Sequence, residues 1–303
     1  MSALAPDWLG AARAATEDLR ALLAAAPTTA LRSLETGTRG EGGDRTLEID
    51  AAAERAVFQQ LERLHGDGAR FAAFSEERGR VDSGFEARDP VLVMIDPLDG
   101  SRNARRGLTH CALSLAVASG PTMADVELGF VHDLGPDEEW VARRGAGAEL
   151  NGAPLRRDAS EQRVGARLEL LAIESADPAC VRKSADALAA AAHRLRTIGA
   201  IAVSLCQVAA ARLDGMVTLR RCRAVDVAAG QLIVREAGGL VAFTACSSPL
   251  GAPLDVFEPV SPVVAARSAE SLRELAAIAL NGGHYDGQVG VVVTARGGES
   301  RAP

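Results

Sequence analysis

The stretch VLVMIDPLDGSRN, residues 91–103, decides how this chain is read. Its first five residues are apolar and suit a buried strand, which runs straight into Asp96-Pro97-Leu98-Asp99-Gly100-Ser101. Pro97 fixes its own φ and carries no N–H, while Gly100 permits a left-handed turn and a close approach of the backbone to whatever lies beside it. Two carboxylates three positions apart are thereby aimed from one stiff turn. Two like charges about 4 Å apart cost roughly 4 kcal/mol at an effective dielectric near 20, so the pair calls for a counter-charge. A hard divalent cation with oxygen ligands supplies one. The same residues also fit a loop turn closed by Asx hydrogen bonds, and this segment alone leaves both readings open. Beyond it, a helical turn is expected from Ser101-Arg102-Asn103, with the N–H groups of Gly100 and Ser101 facing an anion.

The rest of the chain narrows the setting. With 303 residues and 48% apolar content it is long enough for a sizeable core. Aromatics are only 3%, so that core must be built from Ala, Val, Leu and Ile. A net charge of −7 argues against a nucleic-acid surface. Arginines at 102, 105 and 106 and at 220, 221 and 223 are candidates for a small phosphorylated ligand, against the alternative of a solvated polar face. The five cysteines are scattered and never spaced C-x-x-C, which reads as reduced thiols of a cytoplasmic protein. The five histidines form no close pair, which argues against zinc. No apolar run approaches a membrane span and the N-terminus has no signal-type segment, so no membrane association is expected.

Helical spacing predicts a helix over 6–26, stopped by Pro27, and a second over 49–64 with Asp50 at or near its N-cap; a Gly/Thr-rich loop is expected at 36–46 between them. Strands are expected at 71–74 and 91–95, each ending in acids, followed by an antiparallel meander over 111–155. After about residue 165, strand and helix alternate. The expected organisation is an N-terminal α+β lobe over 1–165, a C-terminal α/β lobe over 166–280, and an irregular tail over 281–303. Acids recur at element ends: Asp44 and Asp50 around the early loop, Glu76 and Glu77 after the 71–74 strand, and Asp226 at the start of a helix. Each by itself fits a cap or a surface pair.

Taken in order, SEERG, DPLDGSRN and VDVAAGQLIVREAGG resemble the signature segments of the inositol monophosphatase and fructose-bisphosphatase superfamily. The similarity runs from about residue 40 to residue 270 and is greatest to the compact archaeal branch that acts on both inositol phosphates and fructose 1,6-bisphosphate. It implies a two-lobed, layered α-β-α-β-α sandwich and a Mg²⁺-dependent phosphomonoesterase with two to three ions per site, Mn²⁺ being a substitute. By the resemblance, Glu76, Asp96, Asp99 and Asp226 ligate metal through side chains and Leu98 through its carbonyl. Ser101 and Glu76 orient the attacking water, with Asp44, Thr46 and Asp50 as further catalytic candidates. Gly100, Ser101, Arg102, Arg196, Gly199, Ala200 and Arg220 are the implied phosphate and substrate contacts. The implied partners are a small phosphorylated substrate and a second copy in a homodimer, and lithium inhibition would accompany a three-ion site.

Several positions depart from the inositol-specific pattern. Val225 stands where that branch has tryptophan, Leu219 where it has a glutamate that receives inositol hydroxyls, and Ala200 where it has a hydroxyl-bearing residue. Asp50 follows Thr46 by four positions rather than three. These changes turn the expectation toward a sugar, polyol or sugar-bisphosphate ester. The alternatives are an inositol-1-phosphate phosphatase proper, a 3′-phosphonucleotide phosphatase, and an idle member that binds a phospho-ligand or partner. Against the nucleotide reading, Gly100-Ser101-Arg102-Asn103-Ala104 replaces D-G-T-K-E-type spacing; against the idle one, every ligand position carries its acid.

Overall fold

Along Leu92–Asp99 every residue is buried, so both faces of this strand must be covered. Leu92 and Met94 point into one apolar cluster and Val93 and Ile95 into another, as the two-residue period of a strand requires. The computed structural model, which describes residues 3–39, 45–84 and 91–282, shows how the layers arise.

The helices are α1 (Trp8–Ala25), α2 (Thr29–Arg32), α3 (Glu48–Gly66), α4 (Ser101–Arg106), α5 (Pro178–Ala191), α6 (Ile201–Ala209), α7 (Ala224–Glu236) and α8 (Ala269–Gly282). Strands β1 (Glu35–Arg39) and β2 (Arg45–Leu47) pair antiparallel with each other. An eight-stranded sheet follows, formed by β3 (Phe71–Ser75), β4 (Gly79–Ser83), β5 (Leu92–Asp99), β6 (Ala112–Ala118), β7 (Val126–Asp133), β8 (Glu138–Arg143), β9 (Gly147–Leu150) and β10 (Ala153–Pro154). Its order is β10-β9-β8-β7-β6-β5-β3-β4, so the central strands are the expected meander. The second sheet holds β11 (Arg163–Val164), β12 (Arg167–Glu174), β13 (Ala192–Arg196), β14 (Gly215–Thr218), β15 (Leu240–Phe243) and β16 (Val263–Ala266).

Three apolar clusters define five layers. One joins α1 and α3 to the first sheet through Leu19, Val57, Leu61, Val93 and Leu115. The next buries α6 and α7 between the two sheets, with Met94 and Trp140 on one side and Met216, Phe243 and Val263 on the other. The last packs α5 and α8 on the outer face of the second sheet through Leu171, Leu188, Val264 and Leu275. Helix α7 therefore has almost no solvent face, which is why its sequence, AVDVAAGQLIVRE, is apolar nearly all round. This is the α-β-α-β-α layering that the resemblance implies. Among the described residues no helix is long and apolar enough to cross a membrane.

Three local expectations change. The 36–46 stretch contains paired strands at both ends, and residues 40–44 lie outside the described residues. Asp50 is not the N-cap of α3: the helix begins at Glu48 after Leu47, placing Asp50 in its first turn. The strand entering the motif continues through Pro97 to Asp99, with a register irregularity against β6 between Asp96 and Asp99. A proline without an N–H is tolerated at such an irregularity. Helix α8 reaches Gly282; the rest of the expected tail, 283–303, lies outside the described residues.

Candidate active site

Strands β3 and β5 run parallel side by side, Ser75 opposite Ile95, so their C-terminal ends deliver Glu76, Glu77, Asp96 and Asp99 to one edge. Helix α7 brings Asp226 to the same place from the other side, in its first turn. Asp96, Asp99 and Asp226 are only 5%, 6% and 8% exposed. Burial raises the pKa of each above the usual carboxylate range. After burial, the charges of Asp99, Glu76 and Asp226 raise Asp96, and that of Asp226 raises Asp99. The acids are therefore close enough to repel one another inside the protein, an arrangement that favours a bound cation.

Each acid is also anchored. Asp96 Oδ1 accepts from the Leu98 N–H at 3.0 Å, closing the turn on itself. Asp99 accepts from the N–H groups of Ile201 at 3.1 Å and Ala202 at 2.7 Å, so its carboxylate sits on the N-terminus of α6. Asp226 Oδ2 accepts from the Arg223 N–H at 2.9 Å. Arg223 itself reaches into the group: its Nη1 lies 2.8 Å from Glu76 Oε1 and its Nε 3.5 Å from Asp226 Oδ1.

The turn after Asp99 is held by close packing. Gly100 has φ +80°, and a Cβ there would lie 3.0 Å from both the Ala200 Cβ and the His110 carbonyl oxygen. Asn103 in α4 donates to the carbonyls of His110 and Ile198, both at 2.8 Å. The facing segment is fixed in turn by buried Glu174, which accepts from the N–H groups of Ile198 and Gly199 and from the Ser204 hydroxyl. The helical ladder starts with Asn103 and Ala104 donating to the Gly100 carbonyl, so the Ser101 and Arg102 N–H groups precede its first bond.

A cavity of about 330 Å³ opens beside this turn. Asp50, Glu54, Glu76, Glu77, Asp96, Leu98 and Ser101 line it, with Arg102 and Arg105 also on its wall. Burial, and then the charge of Glu77, push Asp50 up to about 6. Glu54, one helical turn further along α3 and 2% exposed, accepts from the Ser75 hydroxyl and lies 3.9 Å from Arg78 Nε. Its burial outweighs both, and its pKa rises from the ordinary 4.5 to about 7.

Glu54 makes stability depend on pH in a definite direction. A carboxyl whose folded pKa exceeds its unfolded one binds its proton more tightly when folded; its contribution is fully present below about 4.5 and is lost as pH rises through about 7. The difference amounts to roughly 3 kcal/mol. Glu54→Gln keeps an acceptor for Ser75 and is expected to melt above the parent at pH 8 but level with it at pH 4.5. Parallel melting curves at the two pH values check this; a variant less stable at pH 8 would refute it.

Some predicted residues do not line this cavity, and others are not described. Asp44 lies outside the described residues, and of Thr46 only the backbone, in β2, is described. Arg196, on β13, donates to the adjacent Leu195 carbonyl, and neither it nor the exposed Arg220 is among the residues lining this cavity. Gly199 and Ala200 act as packing partners of Gly100 rather than as cavity lining. Glu54 is the residue of the site that the sequence reading misses, its signal being the i+4 spacing from Asp50 on one helix; Arg223, named there as a candidate for a phosphorylated ligand, faces Glu76 and Asp226.

Among the described residues no three Asp, Glu, His or Cys side chains stand as a ready metal cage. The donor chemistry nevertheless fits a hard cation: the acids are oxygen ligands, buried, mutually repelling and short of positive charge. The five-layer fold and this acid cluster are consistent with the phosphatase superfamily whose signature segments the chain carries. Residues 9–281 match the inositol monophosphatase family, and the chain belongs to it. It is 36% identical over 200 residues to the fructose-1,6-bisphosphatase/inositol-1-monophosphatase of Thermococcus kodakarensis, covering 66% of this chain and 70% of that one. It is also 35% identical over 202 residues to the Nus factor SuhB of Haemophilus influenzae, covering 65% and 71%. The crystal structure of the extragenic suppressor protein suhB from Bartonella henselae superposes with a TM-score of 0.69 at 25% identity, covering 89% of this chain and 96% of that one.

Proposed function

We propose that the protein is a Mg²⁺-dependent phosphomonoesterase acting on a small sugar, polyol or sugar-bisphosphate ester. The observation that carries this reading is that buried Asp96, Asp99 and Asp226 lie close enough to repel one another, with Asp96 and Glu76 on the wall of an open cavity. Glu76, Asp96, Asp99, Asp226 and the Leu98 carbonyl would hold the ions. Bound there, Mg²⁺ would lower the pKa of water and neutralise charge on the attacking and leaving oxygens.

The chain's own groups would do the rest. Glu76 and Ser101 orient the attacking water, and Asp50, facing the same cavity with its pKa near 6, is placed to take a proton at a carboxylate oxygen near neutral pH. The N–H groups of Gly100 and Ser101 hold phosphate oxygens as the substrate settles on the turn. Arg102 and Arg105 draw an anionic ester toward the cavity.

The surroundings favour an anionic or sugar-like leaving group over myo-inositol. Leu219 is fully buried and offers no carboxylate for ring hydroxyls, and Val225 and Ala200 add no polar group. A site without those acceptors has no means of preferring that ring. The test is phosphate release from a panel of sugar, polyol, sugar-bisphosphate and nucleotide phosphates, with Mg²⁺ and after chelation. Release that vanishes with EDTA, returns with Mg²⁺ and is lost in Asp99→Asn is expected. Release that persists after exhaustive chelation, or none from any ester, would overturn the reading.

A further inference from the structure

We propose that Arg223 is a built-in counter-ion of the acid cluster, holding Glu76 and Asp226 against the cations that need the same carboxylates and so setting cation affinity. This rests on the metal-dependent reading above. Arg223 caps α7 and spans the two sides of the site, with Nη1 at 2.8 Å from Glu76, at the end of β3, and Nε at 3.5 Å from Asp226 in α7. Its side chain is a quarter exposed, so the pair with Glu76 is partly shielded from water. The same guanidinium opposes the upward shift of both Asp96 and Asp226, whereas Asp99 is balanced by the N–H groups at the start of α6.

The physical consequence is competition. A carboxylate oxygen engaged by guanidinium N–H groups is not free to donate to an ion, and a fixed positive charge beside the cluster repels the incoming cation. Phe74, Met94, Val225 and Phe257 line a narrow crevice next to Arg223 and Glu76 and offer the guanidinium no carboxylate. Cation entry must therefore loosen the Arg223–Glu76 pair, and the arginine trades cation affinity for stability of the cation-free protein. An arginine serving only as a helix cap would affect stability alone.

The experiment is calorimetric titration of the metal-stripped full-length protein with Mg²⁺ and with Mn²⁺, alongside melting curves, for the parent, Arg223→Gln and Arg223→Lys. Arg223→Gln is expected to bind the first cation about 10-fold tighter or more, to melt lower without cation, and to recover with it. Arg223→Lys, which keeps the charge and loses the planar fork, is expected to fall between. Equal or weaker cation binding by a folded Arg223→Gln, with the parent binding normally, would overturn the counter-ion role while leaving the metal reading intact. Failure of all three proteins to bind either cation would overturn both.

Discussion

Asp96→Asn is expected to reduce phosphate release at least ~1,000-fold while leaving the cation-free protein as stable as the parent or more so. The loss follows from removing one carboxylate from the centre of the cluster, since charge stabilisation by a bound cation contributes several kcal/mol and each ~1.4 kcal/mol is tenfold in rate. The stability outcome has the opposite sign for the same physical reason. Asp96 is 5% exposed, and burial together with the charges of Asp99, Glu76 and Asp226 disfavours its ionised form. An amide of nearly equal size removes that repulsion and still accepts from the Leu98 N–H. Initial rates with saturating Mg²⁺, paired with melting curves in EDTA, measure both halves. A variant with a tenth of the parent activity would show that Asp96 is not where the chemistry is held.

Gly100→Ala is expected to damage fold and activity together, through geometry rather than charge. At φ +80° an L side chain costs about 1–2 kcal/mol. The added methyl would also press within 3.0 Å of the Ala200 Cβ and the His110 carbonyl oxygen, which adds about 1–3 kcal/mol of overpacking. The segments that must give way are the turn bearing Asp99 and the loop before α6, so the acids move apart and a fall in kcat of roughly 100-fold is expected. Gly107→Ala is the control. That residue has φ +70° but nothing within 4 Å of an added Cβ, so only the backbone penalty applies and activity should survive. Equal loss of activity in both variants would mean that backbone strain, not the contact with Ala200, is what matters.

Much of this site is legible in the ordered motifs of the sequence, through the family resemblance they carry. Residue types alone leave Asp96, Asp99, Glu76 and Asp226 open to reading as caps or loop acids; the resemblance carried by SEERG, DPLDGSRN and VDVAAGQLIVREAGG implies their ligand roles. The layered fold is implied by the same resemblance, whereas the succession of strands and helices is read from periodicity, a local property of the chain. Asp50, expected at or near the N-cap of its helix, lies in the first turn, and helix boundaries read from sequence shift by a residue or two.

The burial of Glu54 and the pairing of Arg223 are illegible in the sequence for a different reason. Nothing in ERAVF says that the glutamate faces Ser75 across a sheet edge, and nothing in RCRAV says that its second arginine turns inward while Arg220 stays exposed. Nor does the sequence say that Arg196, close to Gly199 in the chain, lies on a strand and bonds its own neighbour's carbonyl.

The amino-acid sequence by itself determined the acids, the turn that bears two of them, and the succession of strands and helices, because each depends on contacts within a few residues. Only the tertiary structure decided which charges face one another. That Asp99 rests on the α6 N-terminus, that Glu54 is buried against Ser75, and that Arg223 lies between Glu76 and Asp226 are results of stacking two sheets around α6 and α7. Electrostatic energy depends on distance and burial, and neither is a property of a residue's place in the chain.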